Sequence, residues 1–236
     1  MKNTLTIARR EFRSYFNGPS AYIVGTLFLT VVAAMFWNSF FLEQRASMRR
    51  LFFWAYGLSV FVGPALTMGL LAEEKRTGTL ELLITYPVRD AEVVIGKYLG
   101  ALGMYGVLLA LTLPQAFSVA GLGQLDWGPV WSGYVGLFLA GGSFLAIGVL
   151  ASSWTNNQLV ALIVALAICT AFAVIRHLLF FLPEGLASVF EWLSFGYHAD
   201  SLERGVIDTR DVFFFISVIA LSLALAFRSL ESRLWK

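Results

Sequence analysis

Hydrophobic residues run through this chain in long blocks separated by short clumps of charge. No Asp, Glu, Lys or Arg interrupts residues 14–42, 51–72, 98–125 or 127–175, stretches of 29, 22, 28 and 49 residues. An apolar run of about 18 or more residues suits a membrane-spanning helix. The 49-residue run, as one helix, would reach roughly 73 Å, more than twice the ~30 Å hydrocarbon core. It must fold back, and the polar patch Ser152-Ser153-Trp154-Thr155-Asn156-Asn157-Gln158 is the place for it. A last apolar run, Val212 to Phe227, has 16 residues, with Asp208 or Thr209 to cap or extend it. The pattern predicts an all-α integral membrane protein, one domain over 1–236, with spans at 20–42, 51–72, 98–122, 130–151, 159–177 and 209–228.

Between the spans the periodicity changes. Residues 4–16 place Leu5, Ala8, Phe12, Tyr15 and Phe16 at helical spacing, with Arg9, Arg10 and Arg13 largely on the other face. This predicts an amphipathic helix in the headgroup layer, ended by Asn17-Gly18-Pro19; the alternative is a frayed basic leader. The segment 73–97 holds nine of the 32 charges yet encloses an apolar patch. Thr77 or Thr79 can cap a short helix there, Pro87 stops it, and Asp90 can cap the helix of the third span. Leu80, Leu83 and Ile84 form one i, i+3, i+4 face. A two-turn helix is marginal alone, so this face is expected to dock into a partner's groove. The alternative is that it packs on its own bundle or in the headgroups, leaving Glu73, Glu74, Lys75 and Arg76 as a solvated anchor.

Residues 178–208 read as an outer segment with re-entrant or interfacial half-helices, because Leu178-Leu179-Phe180-Phe181-Leu182 and Val189-Phe190-Glu191-Trp192-Leu193 are too apolar for a free loop and too short to span. Arg176 and His177 come closest to an intramembrane charge and are functional candidates, with snorkelling as the alternative. Gly133, Gly136, Gly141, Gly142 and Gly148 in the fourth span predict a close interhelical contact face. Pro64 and Pro114 are expected to kink spans two and three.

Composition then narrows the class. The 236 residues are 58% hydrophobic and 14% charged, with a mean hydropathy of +0.74. That excludes a disordered chain, a basic nucleic-acid binder and a typical soluble enzyme. The net charge of +2 says little about partners, but its placement is informative. With both termini cytoplasmic, 11 Lys and Arg lie inside and 6 outside, the positive-inside orientation, although Arg45, Arg49 and Arg50 crowd one outer loop. The first apolar block is too long and too far from the start for a signal peptide. The single Cys169 permits no intrachain disulfide and reads as core.

Catalytic and metal motifs are missing. Gly96-Lys97 has Ala91 where a phosphate-binding loop needs its first glycine, and His177, His198 and one cysteine make no zinc set. Gly141-Gly142-Ser143 continues into Phe144-Leu145 and is not a nucleophile elbow. Residues for a proton or ion relay through the bundle are nearly absent. The chain is therefore expected to bind no metal or cofactor and to draw any energy from a partner.

The string Glu73-Glu74-Lys75-Arg76-Thr77-Gly78-Thr79-Leu80-Glu81-Leu82-Leu83, followed by Pro87 and Gly96-Lys97, resembles the cytoplasmic signature of ABC-2-type permeases, the membrane subunits of ATP-binding-cassette exporters. Phe16-Asn17-Gly18-Pro19, Leu125-Asp126-Trp127-Gly128-Pro129, Phe144-Leu145-Ala146-Ile147-Gly148, Asn157-Gln158 and Arg204-Gly205-Val206-Ile207-Asp208 are most similar to the gliding-motility-associated (GldF-like) branch, related to the NosY-like permeases. The resemblance implies that the N-terminal helix, with Arg9, Arg10, Phe12 and Arg13, is an interfacial connecting helix. It implies that Thr79 to Tyr86 is a coupling helix, with Leu80, Leu83 and Ile84 seated in an ATPase groove, Arg76 and Glu81 as polar contacts, and Glu73 and Glu74 beside it. It further implies two ATPase subunits carrying ATP and Mg, a second permease copy or paralogue, a GldG-like periplasmic accessory protein and a bacterial inner-membrane location. Two rival readings are a mechanotransmission complex that moves no solute and a membrane anchor without energy coupling.

Overall fold

The computed structural model describes residues 2–43, 45–79, 89–178, 191–192, 194–203 and 208–231, and leaves out the side chains of Lys2, Arg176, His177, Leu178, Leu202 and Glu203. The helices are α1 (Lys2–Asn17), α2 (Pro19–Glu43), α3 (Arg49–Thr67), α4 (Ala72–Thr77), α5 (Asp90–Ala110), α6 (Leu113–Leu122), α7 (Trp127–Trp154), α8 (Gln158–Leu178), α9 (Phe195–Glu203) and α10 (Thr209–Glu231). Six helical runs are long and apolar enough to cross a membrane: Pro19–Glu43, Arg49–Thr77, Asp90–Leu122, Trp127–Trp154, Gln158–Ile175 and Thr209–Glu231. The expected six-span helical architecture is thus present. Glu81, Leu83, Ile84 and Tyr86, with Leu80, lie outside the described residues, as does most of the predicted half-helix segment.

The central element is α7, buried along most of its length against α3, α5, α8 and α10. Its glycines explain that position. A Cβ at Gly141 would stand 2.2 Å from the Tyr105 ring of α5, and one at Gly133 would stand 2.3 Å from the Phe52 ring of α3. Conversely, Gly63 of α3 admits Phe144 of α7, where a Cβ would come within 2.8 Å. Rings fill the spaces that the missing side chains leave, the close approach expected of small residues in membrane helices. Several hydroxyls in this core are paired with one another. Tyr105 meets Ser59 at 2.7 Å and donates to the Leu137 carbonyl at 3.3 Å, while Tyr134 meets Thr112 at 2.9 Å. Helices α2, α8 and α10 lie at the periphery and present long apolar faces outward.

Breaks within spans follow the local chemistry. Helix α5 stops at Ala110 and α6 begins with Pro114 in its first turn, since the proline ring cannot coexist with the carbonyl four residues earlier. Pro64 instead lies inside a continuous α3, and the second span turns only at Met68–Leu71. The fold-back between α7 and α8 occupies 155–157, where Asn157 Oδ1 accepts from the Leu159 N–H at 2.9 Å. Ser152 and Ser153, expected in that turn, are buried in the last turn of α7. Arg89 precedes α5 as its N-cap, so Asp90 is the first helical residue rather than the cap; the Glu92 carboxylate accepts from the Arg89 N–H at 3.3 Å. Asp208 caps α10 by accepting from Arg210 N–H at 2.9 Å. Arg50 pairs with Glu43, and Arg49 with Asp200 at 3.4 Å, so these two arginines, placed by the structure in the first turn of α3, tie it to its neighbours.

The ring-in-glycine packing makes a direct expectation. Gly141→Ala forces Tyr105 from its seat and should cost about 1–3 kcal/mol as overpacking. Gly57→Ala, where nothing lies within 4 Å of the new Cβ, should leave the thermal midpoint of the detergent-purified protein unchanged or slightly raised.

Candidate functional site

The end of the bundle that carries α1 also carries the turn leaving the second span. At Met68–Leu71 the helical hydrogen-bond ladder is interrupted, and a side chain from another helix supplies partners for the groups left over. The buried Ser152 Oγ accepts from the Leu71 and Ala72 N–H groups at 3.1 and 3.0 Å and donates to the Met68 carbonyl at 2.9 Å. These are the orphan groups that helix ends always create. From the other side, the Tyr15 hydroxyl of α1 donates to the Leu66 carbonyl at 2.7 Å. Burial, with the Glu11 charge adding to it, raises the Tyr15 phenol above its ordinary value, so the group stays a donor. The turn is therefore fixed in direction by α7 and α1 together.

Helix α4 then runs Ala72–Thr77, with Glu73 and Glu74 in its first turn and Lys75 and Arg76 in its last, the order the helix dipole favours. It ends on Gly78 at φ 71°, a left-handed conformation that glycine adopts without a Cβ penalty. Lys75 donates to the Ser153 carbonyl, which also accepts from Ser229 Oγ at 3.2 Å, so α4, α7 and α10 meet at one oxygen. Arg76 and Glu73 form an exposed i, i+3 pair at 3.7 Å, and the Thr77 and Thr79 hydroxyls meet at 2.9 Å.

At the centre stands Lys97 of α5, 1% exposed. Its Nζ lies 2.9 Å from Glu11 Oε1 of α1 and 2.8 Å from Glu74 Oε1 of α4. Arg10 approaches the same carboxylates, at 3.1 Å from Glu11 and 3.5 Å from Glu74. Two cations and two anions close a neutral set joining three helices. Burial alone would push the Glu11 carboxyl upward, but the Lys97 ammonium, by its charge and its hydrogen bond, and the Arg10 guanidinium outweigh it and hold the group below its ordinary 4.5.

Glycine again makes the approach possible. A Cβ on Gly100 of α5 would lie 2.6 Å from the Glu11 Cβ, one on Gly96 would lie 2.8 Å from the Ile7 Cβ, and one on Gly103 would lie 3.2 Å from the Phe12 ring. Helix α1 is consequently docked on the foot of α5 as well as amphipathic. An open cleft of about 1030 Å³ separates α1 from α3 and α4, with Arg9, Arg13, Glu73, Thr79 and Gln158 on its lining.

Of the residues singled out in sequence, Arg10 and Glu74 enter the charge network. Phe12 packs on α5, Glu73, Arg76 and Thr79 lie at the exposed edge, and Arg9 and Arg13 line the cleft. Leu80, Glu81, Leu83, Ile84 and Tyr86 fall outside the described residues. Arg176 and His177 end α8, at the opposite end of the bundle, with side chains outside the description. Glu11 stands outside those residues, and Tyr15, Ser152 and Lys97 enter the sequence reading only as part of a helix face, the fold-back patch and the signature string. Glu11 carries a signal in retrospect, as the one acid within the arginine-rich stretch 9–13; the others take their roles from tertiary contacts.

A family model described as "ABC-2 family transporter protein" matches residues 37–228. No curated protein matches the chain.

Two expectations follow from the charge network. Because the folded Glu11 carboxyl lies below 4.5, its pairing contributes stability that is complete above the ordinary carboxylate range and lost as pH falls through and below it. Glu11→Gln should flatten the acid limb of a thermal-midpoint profile against pH. Lys97→Met leaves two carboxylates buried without their shared cation, a loss of about 3–5 kcal/mol. The triple variant with Glu11→Gln and Glu74→Gln should recover most of the midpoint lost by Lys97→Met alone.

Proposed function

The chain belongs to the ABC-2 family of transporter proteins, and from that premise we propose that its charged foot is where the work of a separate ATPase enters the membrane domain. It is a multi-pass membrane protein and a permease subunit of an ABC transporter. In the proposed arrangement the chain lies in a bacterial inner membrane with both termini cytoplasmic. Two ATPase subunits hold ATP and Mg. Thr79 to Tyr86 is the coupling helix, with Leu80, Leu83 and Ile84 in the ATPase groove, Arg76 and Glu81 as polar contacts, and a second permease copy or paralogue completing the assembly.

The observation that carries this reading is Lys97 shared between Glu11 and Glu74. A push on the segment after α4 is delivered through Glu74 to Lys97, hence to the foot of α5, and through Glu11 to α1. The turn at Met68–Leu71 lets α4 change its angle while Ser152 and Tyr15 keep its origin fixed. Coupling of this kind needs an element with two packed arrangements, and the second and third spans, joined by this segment, are the proposed levers.

Export of a solute and conformational work on a periplasmic partner both fit such a subunit. The ring-filled contacts among α3, α5 and α7 favour the second, with a GldF-like permease and a GldG-like accessory protein as its form. In the export reading, the solute path would run along the surface of the subunit, against the second permease, rather than through those contacts. Leu83→Asp or Ile84→Asp should abolish co-purification with the ATPase from native membranes. Survival of the complex, with permease-stimulated ATP turnover intact, would overturn the docking assignment.

A further inference from the structure

The bundle end opposite α1 contains a second buried polar cluster that the coupling reading does not use. His198 of α9 and Asp211 of α10 are 4% and 5% exposed. His198 Nδ1 lies 2.7 Å from Asp211 Oδ1, and Nε2 lies 3.0 Å from the carbonyl oxygen of Trp192. The Ser201 hydroxyl donates to the other carboxylate oxygen, Asp211 Oδ2. The imidazole stacks on Phe214 at 4.1 Å and 20°, so the ring has little freedom to turn away from either oxygen.

Hydrogen counting decides what this geometry needs. The Trp192 carbonyl accepts and cannot donate, and an ionised Asp211 also only accepts. A neutral imidazole carries one N–H, which is one short of the two contacts. Both are satisfied when the pair holds one more proton: an imidazolium beside a carboxylate, or a neutral ring that donates from Nε2 while a protonated Asp211 donates to Nδ1. In either form the pair has no net charge. Without that proton, a 2.7 Å or a 3.0 Å contact is left between two acceptors in a buried site, and an unmade buried hydrogen bond is costly.

We propose that His198 and Asp211 form a one-proton binding site that latches the segment carrying Trp192 and α9 onto the start of α10, and that loss of the proton releases it. The remaining charges near the pair, among the described residues, leave the assignment intact. Asp200 on α9 is engaged by Arg49 of α3 at 3.4 Å, Tyr197 packs edge-on to the imidazole, Glu191 begins the latched segment, and the start of α10 contributes Asp208 and Arg210, both exposed, beside Asp211 itself. Trp192 and Tyr197 are exposed beside the cluster, so the pair lies one side chain beneath the surface at this end of the bundle, and the proposed latch would respond to the acidity of the compartment which that surface meets.

Asp211→Asn separates the latch from its proton. The Asn amide donates to Nδ1, its oxygen accepts from Ser201, and a neutral ring donates from Nε2 to Trp192, so every contact is kept without the extra proton. The test is amide hydrogen exchange over residues 191–203 in the full-length protein in nanodiscs, corrected for intrinsic rates, at about pH 6 and about pH 9.5, a span wide enough for a proton held by a buried hydrogen-bonded pair. The wild type should lose about tenfold in protection at the higher pH, the scale of one buried hydrogen bond. Asp211→Asn should stay protected at both. His198→Phe should be unprotected at both, and if it fails to fold the first two comparisons still decide. With His177→Gln, His198 is the sole histidine, and ¹⁵N spectra of its ring should change over the same pH interval as the exchange. Protection in the wild type that is independent of pH, or an Asp211→Asn variant as pH-sensitive as the wild type, would overturn the proposal.

Discussion

A lysine side chain taken out of water is stable only if charge and hydrogen bonds replace its hydration, and Lys97 meets that demand from two other helices. This is the constraint on which the foot of the bundle depends. Glu11 and Glu74 sit on segments that are otherwise unlike, one an amphipathic helix before the first span and the other a six-residue helix at the end of the second. Each carboxylate satisfies the same ammonium. The three helix positions are therefore mutually required, and a displacement of one is resisted electrostatically by both others. Screening by salt is weak at a site this buried, so the connection is stiffer than a surface ion pair.

Small residues set the distances at which such contacts operate. Gly96, Gly100 and Gly103 let α1 come down on α5, and Gly133, Gly141 and Gly148 let α7 accept side chains from α3 and α5. In a membrane the hydrophobic effect gives helices little reason to associate, so close packing and interhelical hydrogen bonds take its place. The buried hydroxyls Ser59, Tyr105, Thr112 and Tyr134 sit among these contacts, adding directional bonds where rings and glycines meet. Packing and polar contacts therefore reinforce one another instead of occupying separate regions.

Much of this architecture is legible in the sequence, because charge is so costly in hydrocarbon that its spacing marks the spans. Asp208 announced its cap, the polar patch containing Asn157 announced the fold-back, and the glycine-rich fourth span announced a contact face. The second span's turn was not legible. Pro64 lies within a continuous α3, whereas the regular helix is interrupted at Met68–Leu71, where Gly69 is a weak signal and the freed backbone groups are met by Ser152, 80 residues away. Lys97 was visible as part of a motif but not as the shared partner of Glu11 and Glu74, since periodicity says nothing about which faces of separate helices meet. His198 and Asp211 are concealed for the same reason: each reads singly as a polar residue near a span end, and their chemistry exists only once α9 lies across α10.

Ser152 carries one hydrogen to donate and two lone pairs to accept with, and all three are in use: the Met68 carbonyl takes the hydrogen, and the Leu71 and Ala72 N–H groups take the lone pairs. Alanine, cysteine or glycine would each leave part of that set unanswered. The bend of one transmembrane helix is thus written in the side chain of another. The two stretches of sequence cannot drift independently, and grafting the second span into a related bundle without its matching fourth span would transplant the helix but not its bend.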